Sequence, residues 1–124
     1  MHMKLENLRT LLQTNPETVE FQDVMSIIAD CYTYIPTRFT NGLGQDLVVN
    51  AAGENEGSCK IFALGQLLGL SEQQTLACFG RFYREEVLQH PDGLNHANIR
   101  SFIRHGWAGI HFEGQALVPK YNSD

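Results

Sequence analysis

Apolar residues recur along the chain in two rhythms. Leu5, Leu8 and Leu12 fall on one stripe at helical spacing, and Phe21, Val24, Met25 and Ile28 repeat that spacing further on. Between them, "TNPE" offers Asn15 as a cap and Pro16 at the first helical position, where a missing N–H costs nothing. Each predicted helix has a single apolar face, so the two should pack on a common core. Over 31–50 the period changes: "YTYIPTRFTNG" alternates, is rich in Tyr, Thr and Phe, and ends in Asn41-Gly42, a pair favoured in tight hairpin turns. Pro36 would confine any strand here to an edge. "GIHFEGQALV" near the C-terminus has the same character, with Ile110 and Phe112 on one face and His111 on the other. These two regions are expected to form a small antiparallel sheet.

Three helices with clear punctuation lie between them. The first, over about 58–68, is apolar nearly all round through Ile61, Phe62, Ala63, Leu64, Leu67 and Leu68, which marks a central, buried helix. Gly65 and Gly69 lie four apart and could let a neighbouring backbone approach. Gly69 also suits a left-handed C-terminal cap, with Leu70 as its hydrophobic contact. Ser71 and Gln74 then read as a capping box. The second helix is expected to bury Leu76, Phe79, Tyr83 and Val87, with Arg81 and Glu85 in water, and to end at the "HPDG" turn. The third begins near Asn95 as its cap, buries Ile99, Phe102 and Ile103, and ends at Gly106. The pattern predicts one α+β domain over 1–124, mostly helical.

Composition narrows the class. A chain of 124 residues with 43% hydrophobic and 19% charged content is an ordinary globular domain that needs no metal or disulfide staple. The net charge of −5 argues against non-specific binding to nucleic acid or anionic membranes. Three cysteines, an odd and small number, point to a reducing compartment. No apolar run reaches the length of a membrane span, and Glu6 and Arg9 fall where a signal-peptide core would be, so the expected location is cytoplasmic. Met1-His2 ahead of Met3 has the look of a cloning remnant, and His2 is assigned no role.

The stretch "NAAGENEGSCKIF" holds the candidate chemistry. Cys59 sits in the first turn of the central helix, where the helix dipole lowers a thiol pKa. A cysteine enzyme would pair it with His96 as base, oriented by Asn95 or Asn98. Against this, Glu54 and Glu56 disfavour a thiolate, and a cysteine on a buried helix is most often an inert small hydrophobe. Cys31 and Cys78 read as core. Two carboxylates with His96 could hold a divalent ion, but no metal-binding spacing supports that, and neither metal nor cofactor is expected. Acidic residues before a helix also simply complement its dipole, and "GENEGS" then serves to turn the chain and cap the helix. Gly53 and Gly57 allow tight turns whose free N–H groups could cradle an anion, against the sign of the nearby carboxylates. In "NHANIRSFIRHGW", Arg100 and Arg104 share a face that is either solvated or docks a carboxylate. His105 sits where a positive charge is favoured, and Trp107 reads as packing over the core.

Together "YIPTRFTNG", "AGENEGSCKIFALG", "LACFGRFYREEVL", "HPDG", "HANIRSF", "GW" and "FEGQAL", in this order over 32–117, resemble the HopJ type III effector family. That family is named for a plant-pathogen protein exported by type III secretion. The resemblance implies no catalytic residue or cofactor, but leaves export possible. The polar residues around 50–60 and the start of the third helix are expected to meet in a pocket. Asn50, Glu54, Asn55, Glu56, Ser58, Lys60, Asn98 and Arg100 are its candidate ligand-binding residues, for a protein or small-molecule partner.

Overall fold

The computed structural model describes residues 4–120, so the remnant at 1–2 lies outside the described residues. Helix α1 (Leu5–Thr14) buries Leu8 and Leu12, and α2 (Phe21–Cys31) buries Val24, Ile27 and Ile28, as their stripes require. The "TNPE" segment does not open α2. Pro16–Thr18 forms a separate 3-10 turn, Asn15 makes no side-chain cap, and α2 starts only at Phe21. The early proline fixes a turn there, and the chain passes through extended Val19 and Glu20 before winding again.

The expected sheet is two small ones. β1 (Tyr32–Tyr34) pairs antiparallel with β5 (Leu117–Pro119), placing Tyr34 opposite Leu117. β2 (Phe39–Asn41) runs between β3 (Val48–Asn50) and β4 (His111–Phe112) in the order β3-β2-β4, with Phe39 opposite both Asn50 and Phe112. The same two stretches of chain supply both the β1–β5 and the β2–β4 pairs. Pro36, which has no N–H to give, interrupts the ribbon between them. Single bonds bracket the gap: Ile35 N–H donates to the Ala116 carbonyl at 2.7 Å, and Glu113 N–H to that of Arg38 at 3.0 Å. Ile110 is buried and His111 exposed, in line with the alternation.

Helix α3 (Glu56–Leu68) is central. Phe62 on it meets Phe102 at 4.9 Å, Phe79 at 5.5 Å, Phe39 at 6.0 Å and Trp107 at 6.5 Å, ring centre to ring centre, so one residue touches most of the fold. Such contacts add about 1 kcal/mol each beyond burial itself. Leu67 is nonetheless 47% exposed, so the helix has one wet edge. Its C-terminus closes as predicted: Gly69 is left-handed, and Leu70 N–H donates back to the Gly65 carbonyl at 2.9 Å. The neighbour that approaches Gly65 is the Trp107 ring rather than a backbone.

The capping box forms, with Gln74 N–H donating to Ser71 Oγ and Ser71 N–H to Gln74 Oε1, but the helix it opens, α4 (Glu72–Ala77), is short. After a turn at 78–80 the chain rewinds as a π-helix, Phe82–Val87, which leaves Tyr83 half-buried. Helix α5 (Ala97–His105) begins two residues later than the Asn95 reading. Ile103, expected inside, is 45% exposed, because the inward face of α5 runs through Asn98, Ile99, Ser101 and Phe102.

Asn41-Gly42 does not form a two-residue hairpin. Six residues, including the 3-10 turn Gly44–Asp46, separate β2 from β3. Gly42 has φ +99°, donates its N–H to the Gly109 carbonyl at 3.0 Å, and lies where a Cβ would collide with Ser101 Oγ and come within 2.5 Å of the Asp46 carbonyl. Gly42→Ala is therefore expected to lower stability by about 2 kcal/mol or more, read as a lower urea midpoint at unchanged slope.

Candidate functional site

Four asparagines far apart in sequence share one hydrogen-bond network. Asn41 and Asn50 are fully buried on neighbouring strands β2 and β3, and Asn98 is nearly so in the first turn of α5. Asn50 and Asn98 exchange amide bonds in both directions: Asn50 Nδ2 donates to Asn98 Oδ1 at 3.1 Å, and Asn98 Nδ2 to Asn50 Oδ1 at 2.9 Å. Asn41 Nδ2 donates to the Asn98 carbonyl at 2.8 Å and to Asn98 Oδ1 at 3.1 Å. Asn55 Nδ2 completes the set by donating to Asn50 Oδ1 at 2.7 Å. Asn41 Oδ1 has no protein partner.

The network draws the start of α3 against the start of α5, and a cleft of about 370 Å³ opens between them. Asn55, Gly57, Ser58, His96, Ala97 and Asn98 give it a polar side, and Phe21, Phe79 and Phe82 an apolar one. Phe82 meets Phe21 edge-on at 5.1 Å and lies 5.3 Å from the His96 ring. His96 Nε2 is 2.7 Å from Glu86 Oε1, which fixes the imidazole in place. Asn55 and His96, the residues flanking the two helices, are both left-handed at φ +49° and +55°, the only described non-glycine residues with positive φ. Neither caps its helix with its side chain. Among the described residues, no acceptor meets the N–H groups of Gly57, Ser58, Ala97 or Asn98. Donors of this kind, at the positive ends of two helices, favour a ligand that accepts hydrogen bonds.

The candidate residues divide on this geometry. Asn55, Ser58, His96 and Asn98 line the cleft. Asn50 lies behind it, inside the network. Glu54 Oε1 accepts from Ala51 N–H at 3.0 Å and closes its own turn, and Glu56 is exposed in the first turn of α3. Lys60 Nζ lies over the Tyr34 ring at 4.7 Å. Arg100 is 8% exposed and all five of its N–H groups are engaged. Nε donates to the Asn95 carbonyl, Nη1 to those of His90 and Pro91, and Nη2 to Asn95 Oδ1 and the Glu86 carbonyl. It ties down the "HPDG" loop and has no donor left for a ligand. Asn95 serves Arg100, not His96.

Cys59 faces the other way. It is 1% exposed, its Sγ lies 3.8 Å from the Thr37 carbonyl, and burial pushes the thiol up. Among the described residues no hydrogen bond joins it to His96. Cys78 is likewise buried and pushed up to about 12 by desolvation, while Cys31 is half-buried.

Three contributors to the cleft give no signal of it in the residues alone. Phe21 and Phe82 look like core positions, and Glu86 carries no local pattern. Beside the cleft, Asp46 accepts from Arg104 Nη1 at 2.9 Å and lies 2.9 Å from His105 Nε2. His105, with Arg104, holds its carboxyl below the usual carboxylate range. Among the described residues no three His, Cys, Asp or Glu side chains gather as a metal site would need, and no helix is long and apolar enough to cross a membrane.

Residues 5–117 match the model of the family described as HopJ type III effector protein. The chain is also similar to the crystal structure of the unknown-function protein VPA0580, at 50% identity over 97% of both chains and a TM-score of 0.91. No curated protein matches the chain.

The network and the buried thiols each make a measurable difference. Asn98→Ala removes both bonds of the reciprocal pair with Asn50 and one of the two acceptors of Asn41 Nδ2, and is expected to cost about 2 kcal/mol, beyond an ordinary surface change, in urea unfolding. In native protein, iodoacetamide should alkylate Cys31 first, and reach Cys59 and Cys78 only on the timescale of unfolding, as mass spectrometry of quenched samples would show.

Proposed function

The chain belongs to the HopJ type III effector protein family, and from that premise we propose that it is a binding module rather than an enzyme. Its recognition site is the cleft between the starts of α3 and α5. The observation that carries this reading is the convergence of two uncapped, left-handed helix starts on one cleft with an aromatic side. Non-glycine residues held at positive φ cost about 1–2 kcal/mol each, somewhat less for Asn and His, and such costs persist where the surroundings enforce them. Here they point unpaired N–H groups into a shared space.

The ligand that fits has a flat apolar body against Phe21 and Phe82 and a hydrogen-bond acceptor, a carboxylate above all, on the N–H groups of α3 and α5. It is a small molecule or the side chain of a partner protein. A binding role is preferred to the cysteine-enzyme alternative because Cys59 is buried and, among the described residues, no hydrogen bond joins it to His96. We place the action in a cytoplasm, where three free thiols stay reduced. Export into a host cell, as the family's description suggests, would end in the same chemical conditions.

Sodium benzoate, which combines ring and carboxylate, is the probe for a ¹⁵N–¹H NMR titration. The expected result is a saturable shift of the Gly57, Ser58, Ala97 and Asn98 amides with a Kd of about 1 mM or tighter. An equal concentration of benzyl alcohol, which lacks the carboxylate, should not compete. Shifts that are absent, or scattered over the surface without saturating, would overturn the reading.

A further inference from the structure

One short element walls two cavities. The π-helix Phe82–Val87 is marked by a hydrogen bond spanning five residues, from Leu88 N–H to the Tyr83 carbonyl at 3.0 Å. It gives Phe82 to the cleft and Glu86 to the His96 side chain there. Its next residues, Tyr83 and Arg84, line a second, largely apolar cavity of about 220 Å³, closed opposite by Leu12, Pro16 and Ala77. The segment packed along the π-helix is shared in the same way. Pro16 and Glu17 face the apolar cavity, while Phe21 faces the cleft. Arg84 fastens that segment by donating to the Val19 carbonyl at 2.8 Å, and Arg81 and Arg84 both approach Glu20, at 3.6 and 3.7 Å.

A π-helix holds an extra residue in a ladder that would otherwise close after four, and such segments are rare and concentrate at functional sites. Releasing that residue from the ladder rotates the downstream side chains by roughly 100°, the angle between successive α-helical residues. A second arrangement, with that residue released, would place different side chains on both cavities.

We propose that the π-helix couples the two cavities: filling the apolar one displaces Tyr83 and Arg84, and with them Phe82 and the Glu86–His96 pair, changing what the cleft accepts. The regulatory meaning rests on the binding role of the cleft. The coupling itself does not, and is measured without any ligand.

The test is a double-mutant cycle in urea unfolding, with Ala77→Leu filling the apolar cavity and Glu86→Gln weakening the His96 pair. Sites more than about 10 Å apart with no shared partners give multiplicative unfolding constants to within about twofold. The expected result is a double variant that departs from the product of the singles by about fivefold. By contrast, Ala77→Leu with Leu94→Ala, a residue 95% exposed and outside both cavities, should stay multiplicative. A multiplicative result for the first pair overturns the coupling. Should Ala77→Leu not fold, Gln73→Leu fills the same cavity from the exposed side of α4. Failure of benzoate to bind would sink the cleft reading and leave this cycle intact. A multiplicative cycle would sink the coupling and leave benzoate binding intact.

Discussion

Three buried side-chain amides, those of Asn41, Asn50 and Asn98, can be left in the interior of a small domain only if they answer one another. The reciprocal Asn50–Asn98 pair, with Asn41 and Asn55 bonded onto it, meets that condition at one arrangement of four segments: two adjacent strands and the starts of two helices. An apolar contact tolerates sliding, but an amide pair in a low-dielectric interior does not, because a displaced donor loses its partner and regains no water. Partners up to 57 positions apart in the chain are thereby held to about 3 Å. The aromatic cluster around Phe62 supplies much of the burial that closes the domain, and the asparagines fix how α3 and α5 are aligned within it.

The same network explains why those two helices begin without caps. An asparagine ahead of a helix ordinarily accepts from an N–H of the first turn. Asn55 is turned to the left-handed region, away from the extended backbone of an ordinary cap, and its Nδ2 is tied to Asn50 Oδ1, so the side chain is held off the helix start. His96 lies in the same conformation with its ring held by Glu86, and Asn95, the better cap by residue type, is occupied by Arg100. Neither helix start is capped by a side chain, and the residues carrying the free N–H groups line the cleft.

Much of the architecture is legible as pattern. The stripes of α1 and α2, the buried face of α3, its Gly69 close and the Ser71–Gln74 box all depend on residues within a few positions of one another, and local chemistry decides them. The proximity of "GENEGS" to the start of α5 is also readable, from polar groups clustered in otherwise apolar surroundings. What pattern misses depends on distant partners. Asn41-Gly42 looks like a hairpin turn, yet Gly42 is glycine because its φ is positive and a Cβ there would meet Ser101, from another part of the chain, and the Asp46 carbonyl. Arg100 looks like a surface cation four residues from Arg104, yet loop carbonyls and Asn95 take its whole guanidinium. The turn reading also hides Asn41, although Asn50 between Val49 and Ala51 and Asn98 between Ala97 and Ile99 carry a signal of buried amides.

The cleft's two sides are built on different physics. Its polar side is set by interior amide bonds and by helices packed on Phe62, interactions that cost several kcal/mol to break. Its aromatic side is Phe79, packed on Phe62, together with Phe82 of the π-helix and Phe21. Around the last two, the Arg84–Val19 bond is joined by ion pairs of Arg81 and Arg84 with Glu20, side chains 68%, 23% and 43% exposed. Ion pairs with that much water around them contribute about 0–1 kcal/mol. The cleft therefore joins a wall fixed by buried bonds to one fastened in part by solvated ion pairs, and it is the second wall that adjoins the apolar cavity.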